Sequence, residues 1–145
     1  NVLVHGVAGD AGALGFFGFA YFEQNRERLK ALSIDAGDGK PAVLPSAASI
    51  ADGSYQPLSR PLFVYVTTKA AERPDVQAFL RFYLSEGRPL VREVGYVPLP
   101  DRAYELAWDR FEARTTGSIF AGGSQVGVSV EALLAAEQPG AVATP

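Results

Sequence analysis

The spacing of apolar and polar residues along this chain switches repeatedly between helical and extended patterns. Val2, Leu3, Val4 and Val7 fit a short buried helix over residues 1–8 that ends near Gly9. Residues 12–20, GALGFFGFA, read as a buried strand whose glycines weaken strand propensity but admit a close backbone neighbour. Residues 21–31 follow as a helix. Phe22 and Leu29 share its apolar face, and Glu23 with Arg26 and Glu27 with Lys30 form i,i+3 pairs on the wet side. Residues 32–34 read as a short strand, and AGDGK at 36–40 is turn chemistry. Ser46 is placed to cap one or two helical turns through Ile50, which Asp52 and Gly53 close.

The second half carries stronger signals. Pro61 cannot donate to a sheet ladder and suits a strand's first position, and Leu62, Phe63, Val64, Tyr65 and Val66 are strong strand formers. The clearest helix runs over 74–86. Pro74 opens it, Asp75 suits its positive end, and Val76, Phe79, Leu80 and Tyr83 recur at helical spacing. Gly87 and Pro89 are expected to stop it. Residues 94–99 read as extended, fixed by Pro98 and Pro100. Asp101 then caps a helix through Arg114, with Tyr104, Ala107, Trp108 and Phe111 on one face. Residues 115–127 are rich in glycine and hydroxyls, 128–136 add a last helical turn or two, and 138–145 read as frayed. Helices alternate with strands, so the fold class is α/β.

Bulk properties narrow the function. The chain has 145 residues, enough for a real core, with 48% apolar and 20% charged residues. A net charge of -3, with no local run of Lys or Arg, argues against a nucleic-acid surface. Cysteine is absent, which excludes disulfides, thiolate nucleophiles and zinc–thiolate sites. Methionine is absent too, so Asn1 is expected to arise from processing or cleavage of a longer product, or to begin a segment of one. No export signal is visible at the start, so if the protein is exported its signal is expected outside this chain. The longest apolar run, residues 12–22, is too short and too glycine-rich to span a bilayer.

Four segments, in order, carry a resemblance. They are NVLVHGVAGDAGALGFFGFAYF at 1–22, GSYQPLSRPLFVYV at 53–66, EVGYVPLP at 93–100 and RFEARTTGSIFAGGSQVGVS at 110–129. Together they resemble the C-terminal half of the phosphate-binding protein of bacterial Pst-type ABC transporters. The resemblance implies a type II periplasmic binding protein-like fold of two lobes. On it, residues 1–57 form part of the second lobe, 58–61 are the hinge crossover, 62–136 are the C-terminal part of the first lobe, and 137–145 are a frayed tail. It also implies a receptor that captures inorganic phosphate by lobe closure, in the periplasm or at the cell envelope, and delivers it to ABC transporter permease subunits. No cofactor and no catalysis are implied. A companion N-terminal half is expected beside this chain, because Phe16, Phe17, Phe63 and Tyr65 would otherwise be left exposed.

The ligand contacts implied by the resemblance are Thr, Ser and Asp residues of the first lobe, plus an Arg and a Ser-Gly-Thr cluster in the second. All precede the segment matching Asn1, and no Ser-Gly-Thr occurs here. No ligand residue is therefore expected in this chain beyond cleft candidates Ser59 and Arg60, which sit in the hinge formed by Leu58, Ser59, Arg60 and Pro61. Arg60 would raise the positive potential of a cleft; its structural reading is a hinge guanidinium bonding carbonyls or carboxylates. Gly6, Gly9, Gly12, Gly15 and Gly18 recur every third residue, but no Walker lysine follows, and tight packing is the plainer reading. Thr115, Thr116, Gly117 and Ser118 offer hydroxyls to an anion, or simply form a helix C-cap and turn. His5 is the one histidine, with no converging ligands for a metal. Asp35 and Asp38 with Gly39 lack calcium-loop spacing and read as a polar turn. Glu23, Glu27, Glu72 and Glu86 read as solvated positions and supply no catalytic carboxylate pair. Two further functions stay open: a binding-protein-like sensor or interaction domain without phosphate affinity, and a phosphate-ester hydrolase.

Overall fold

The computed structural model describes residues 2–120 and 128–136. Eight helices are present among them, in the order α1 Val2–Gly9, α2 Phe19–Glu23, α3 Ala47–Ala51, α4 Thr68–Ala71, α5 Pro74–Leu84, α6 Arg88–Glu93, α7 Asp101–Glu112 and α8 Val130–Ala136. The expected frayed segment 138–145 lies outside the described residues, as do 121–127 of the expected glycine-rich stretch.

Local chemistry accounts for most helix ends. Ser46 caps α3 by accepting the Ser49 amide at 3.0 Å, and the Ser49 hydroxyl accepts the Ser46 amide at 3.0 Å, a reciprocal capping box. Thr67 caps α4 through the Ala70 amide at 3.2 Å. Pro74 opens α5 with Asp75 in its first turn, as the pattern predicts. Pro89 acts differently from expectation: it lies in the first turn of α6 rather than ending α5, because a proline is tolerated where the N–H has no helical partner. Gly95, at φ 84°, ends α6 in a Schellman motif, with the Tyr96 amide on the Val91 carbonyl and the Gly95 amide on Arg92, both at 2.9 Å.

The core lies between α7 and α8. Ala103, Leu106 and Leu134 are buried there, with Leu99, Ala107, Ile119 and Val130 packed around them. The expected α7 face of Tyr104, Ala107, Trp108 and Phe111 turns partly toward α5, while Ala103 and Leu106 address α8. On α5 only Leu80 is fully buried; Phe79 and Tyr83 stay exposed and stack on each other with ring centroids 5.8 Å apart.

The strands depart most from expectation. Among the described residues, backbone pairing of the sheet type is confined to one antiparallel bridge between Ile34 and Val43. Both amide-to-carbonyl bonds there are 2.9 Å, and they close the AGDGK turn, where Gly37 and Gly39 hold φ of 75° and 78°. Residues 12–18 and 62–66 pair with nothing among the described residues. Leu14, Phe16, Leu62, Phe63, Val64 and Tyr65 are all exposed, Tyr65 at 88%. A strand is stabilised by a neighbour's amides and side chains, and without one these segments run extended and bare. The helix expected over 21–31 is likewise short. It gives way after Glu23 to successive turns, although the predicted Arg26–Glu23 ion pair forms at 2.6 Å.

Candidate functional site

The segment 58–61 is entered from a tightly wound turn. Beyond α3, Gly53 adopts φ 76°, the Ser54 amide donates to Asp52 Oδ1 at 2.8 Å, and the Tyr55 amide returns to the Ser49 carbonyl at 2.8 Å. The Gln56–Pro57 peptide is cis. The Ser59 amide donates to the Tyr55 carbonyl at 3.3 Å, and from Arg60 onward the chain runs extended. A short fixed knot therefore delivers Leu58, Ser59, Arg60 and Pro61 into the extended segment.

Two polar groups are left over at this point. The Ser59 hydroxyl is buried and has no hydrogen-bond partner among the described residues. Arg60 is exposed and makes no hydrogen bond or ion pair among them, so the carbonyl or carboxylate partner expected of a hinge guanidinium is absent. An unpaired, exposed guanidinium is competent to meet a tetrahedral anion, but the buried Ser59 hydroxyl is closed to solvent, so Arg60 alone offers too few converging donors to hold one.

The remaining sequence candidates are spread apart. Gly15 is the one glycine of the triplet series forced by packing: a Cβ there would come 2.5 Å from Val7 Cγ2 and 2.9 Å from the Phe17 ring, whereas Gly6 and Gly9 face open space. His5 is exposed, and no group of acids and histidines able to hold a metal occurs among the described residues. Asp35 accepts the Gly37 amide at 2.8 Å and Asp38 the Lys40 amide at 3.1 Å, as turn residues do. Glu27, Glu72 and Glu86 are solvated.

The 115–118 loop is spoken for by its own backbone. Arg110 donates to the Thr116 and Gly117 carbonyls at 3.3 and 3.0 Å, and the Ser118 hydroxyl accepts the Phe120 amide at 3.1 Å. The chain just beyond it nevertheless lies beside residues 62–66, since Phe120 and Phe63 meet edge to face at 5.3 Å.

Sequence reasoning missed a groove between α5 and α7, of about 500 Å³. Arg81 stands 5.6 Å over the Trp108 ring, and Arg114 stands 4.6 Å over Phe111, both within cation–π range. Gln77 and Glu112 also line it. No sequence signal marked it; Arg114 occupies the left-handed position after α7 where a glycine is usual. A second, smaller hollow of about 300 Å³ adjoins α6. There Arg88 lies 4.9 Å over Tyr104 while bonding the Leu84 carbonyl at 2.9 Å and Asp101 at 3.0 Å, which makes it a clamp.

No family model matches the chain. Individual proteins do. The chain is 50% identical over 137 residues to Protein SphX of Synechococcus elongatus, a match covering 94% of this chain and 40% of that protein. It is 38% identical over 106 residues to the phosphate-binding protein PstS of Staphylococcus haemolyticus, covering 72% of this chain and 33% of that one. Among solved structures, a possible phosphate binding protein from Planctomyces limnophilus matches with a TM-score of 0.61 and 42% identity, over 79% of this chain and 41% of its own. The chain is a relative of the Pst-type phosphate-binding proteins. It has part of their α/β, type II periplasmic binding protein-like fold, as the resemblance implied. It spans between 33% and 41% of the length of these relatives.

Proposed function

We infer that this chain is the scaffold and hinge portion of a phosphate-binding solute receptor that serves an ABC phosphate importer. The observation that carries this reading is the similarity to SphX and PstS proteins along most of the chain, joined by the fold match at 42% identity. Lobe closure about residues 58–61 captures inorganic phosphate. Residues 1–57 belong to the second lobe and 62–136 to the first, and the main anion contacts come from a companion N-terminal polypeptide. Ser59 and Arg60 supply auxiliary contacts at the cleft. Its role is binding and delivery, without catalysis, at the periplasmic side of a membrane or the cell envelope. No helix among the described residues is long and apolar enough to cross a membrane.

The exposed apolar segments support the companion. Leu14, Phe16, Phe63 and Tyr65 would each lose stabilisation by facing water, at roughly 25 cal/mol per Å² of apolar surface. Native mass spectrometry of the purified protein, with denatured masses from the same sample, tests the reading. A stoichiometric companion and a retained phosphate-sized adduct are expected. A bare single chain that melts cooperatively and ignores phosphate would instead favour an interaction or sensor domain without phosphate affinity. The incomplete donor set around Arg60 is the observation that keeps that second reading.

A further inference from the structure

We propose that the groove between α5 and α7 docks an acidic segment of a partner polypeptide, with Arg81 as its anchor. This stands apart from the phosphate-binding reading, because it concerns a different face and a different ligand. Arg81 is exposed on α5; its carbonyl accepts from Ser85, but its guanidinium makes no hydrogen bond or ion pair among the described residues. Its guanidinium is instead held over Trp108 at 5.6 Å. A guanidinium within cation–π range of a ring, with no N–H partner of its own, has its fork free to match a carboxylate bidentately. The ring contact also restricts the side chain in advance, so less freedom is lost when a carboxylate arrives.

Arg114 adds a second cation on the same wall. It is already fixed by bonds to the Phe111 carbonyl at 2.6 Å and the Ala71 carbonyl at 3.1 Å, so it contributes field and surface more than new bonds. Trp108 and Phe111, with ring centroids 5.5 Å apart, give an apolar floor for a side chain of the partner. Glu112 is the acid of the lining, and it leaves the groove one charge positive on a chain whose net charge is -3. A cationic, aromatic-floored groove on an acidic protein selects acidic peptide over the general run of anions, because a lone small anion would leave the floor unused.

The chain's one tryptophan reports on the site directly. The full chain, with any companion it retains, is titrated with a short peptide of glutamate and phenylalanine while Trp108 emission is followed. A saturable change is expected, weakened by salt because the pair is partly exposed. Arg81→Gln should weaken binding about tenfold, since a charge-assisted fork is lost. Arg81→Lys should fall between, and Glu112→Gln should tighten binding by removing the competing carboxylate. Far-UV circular dichroism of each variant confirms that the fold is kept. A flat titration, an equal response to a lysine-and-phenylalanine peptide, or an equal response to inorganic phosphate alone would overturn the proposal.

Discussion

Arg114 reaches across from the end of α7 to donate to the Ala71 carbonyl at 3.1 Å, forty-three positions away in sequence. The same carbonyl accepts the Gln77 side-chain amide at 2.9 Å, so α4, α5 and α7 converge on one oxygen. Arg114 pays for this position with a left-handed backbone, φ 54°, in a Schellman motif whose Thr115 amide bonds the Arg110 carbonyl at 3.2 Å.

Two substitutions separate the strain from the tie. Arg114→Ala keeps the left-handed strain and loses the bonds, and should cost about 1–2 kcal/mol, because Gln77 still satisfies Ala71. Arg114→Gly loses the same bonds but relieves the strain, so it should be more stable than the alanine variant by roughly 1 kcal/mol. Urea unfolding of both gives the difference. Equal stabilities would mean that the backbone relaxes away from the left-handed region.

Gly95 joins the two halves of the chain. Its φ of 84° serves the α6 cap, and a Cβ there would lie 3.1 Å from Ala20 Cβ on α2. Gly95→Ala should therefore destabilise by about 1–2 kcal/mol from the backbone alone, plus a crowding contribution. Adding Ala20→Gly removes the crowding and leaves the backbone cost, so the double variant should recover only part of the loss in thermal melts.

Leu106 is 1% exposed and sits between α7 and α8. Leu106→Ala should cost about 2–5 kcal/mol by transfer and cavity effects. Because α8 is held mainly through this contact, amide exchange over 130–136 should accelerate more than exchange within α5. Uniform acceleration would show that the helices unfold as one unit.

The turn at 35–40 has its own pH signature. Hydrogen bonding from Lys40 holds the Asp38 carboxyl below its ordinary range, and Asp38 holds the Lys40 ammonium above its own. The Asp38 contribution is complete above the ordinary aspartate value and fades as pH falls through the lowered one; the Lys40 contribution is complete below the ordinary lysine value and fades as pH rises through the raised one. The turn is thus tightest across the broad neutral range. Lys40→Ala should move the Asp38 titration back upward by NMR. Asp52, held down chiefly by Ser54, should not respond.

The sequence was most readable where a single residue's chemistry decides local geometry. Ser46 at the α3 cap, Pro74 at the α5 start and the AGDGK turn all follow from side-chain bonding or fixed φ. Pro89 misled because the same residue both ends and begins helices, and only the Gly87 turn before it decides which. The strands expected at 12–20 and 62–66 did not form, residues 19–20 opening α2 instead, because composition marks a segment as able to pair but pairing needs a neighbouring strand. Of the candidate site, the polar, proline-bounded entry at Ser59 and Arg60 was legible as a break from regular structure, and the segment carries no helix or strand. The Arg81–Trp108 contact was not, because it joins two helices whose facing sides no periodicity specifies.

The bare segment at 62–66 gives the most direct check on the companion. Phe63 is 49% exposed and Tyr65 88%, and their rings sit 6.1 Å apart along one side of the extended chain. If a companion strand pairs here, amides 62–66 exchange slowly in the assembled protein and fast once the companion is stripped by denaturant and removed. Phe63→Ser with Tyr65→Ser then weakens retention of the companion, because two aromatic side chains worth about 1.5–3 kcal/mol each on burial are lost. The described helices stay folded in that variant, since neither ring belongs to the α7–α8 core. Fast exchange in the assembled protein, or unchanged retention by the double variant, would place the companion on another face, with the aromatic side of α5 at Phe79, Phe82 and Tyr83 as the next surface to test.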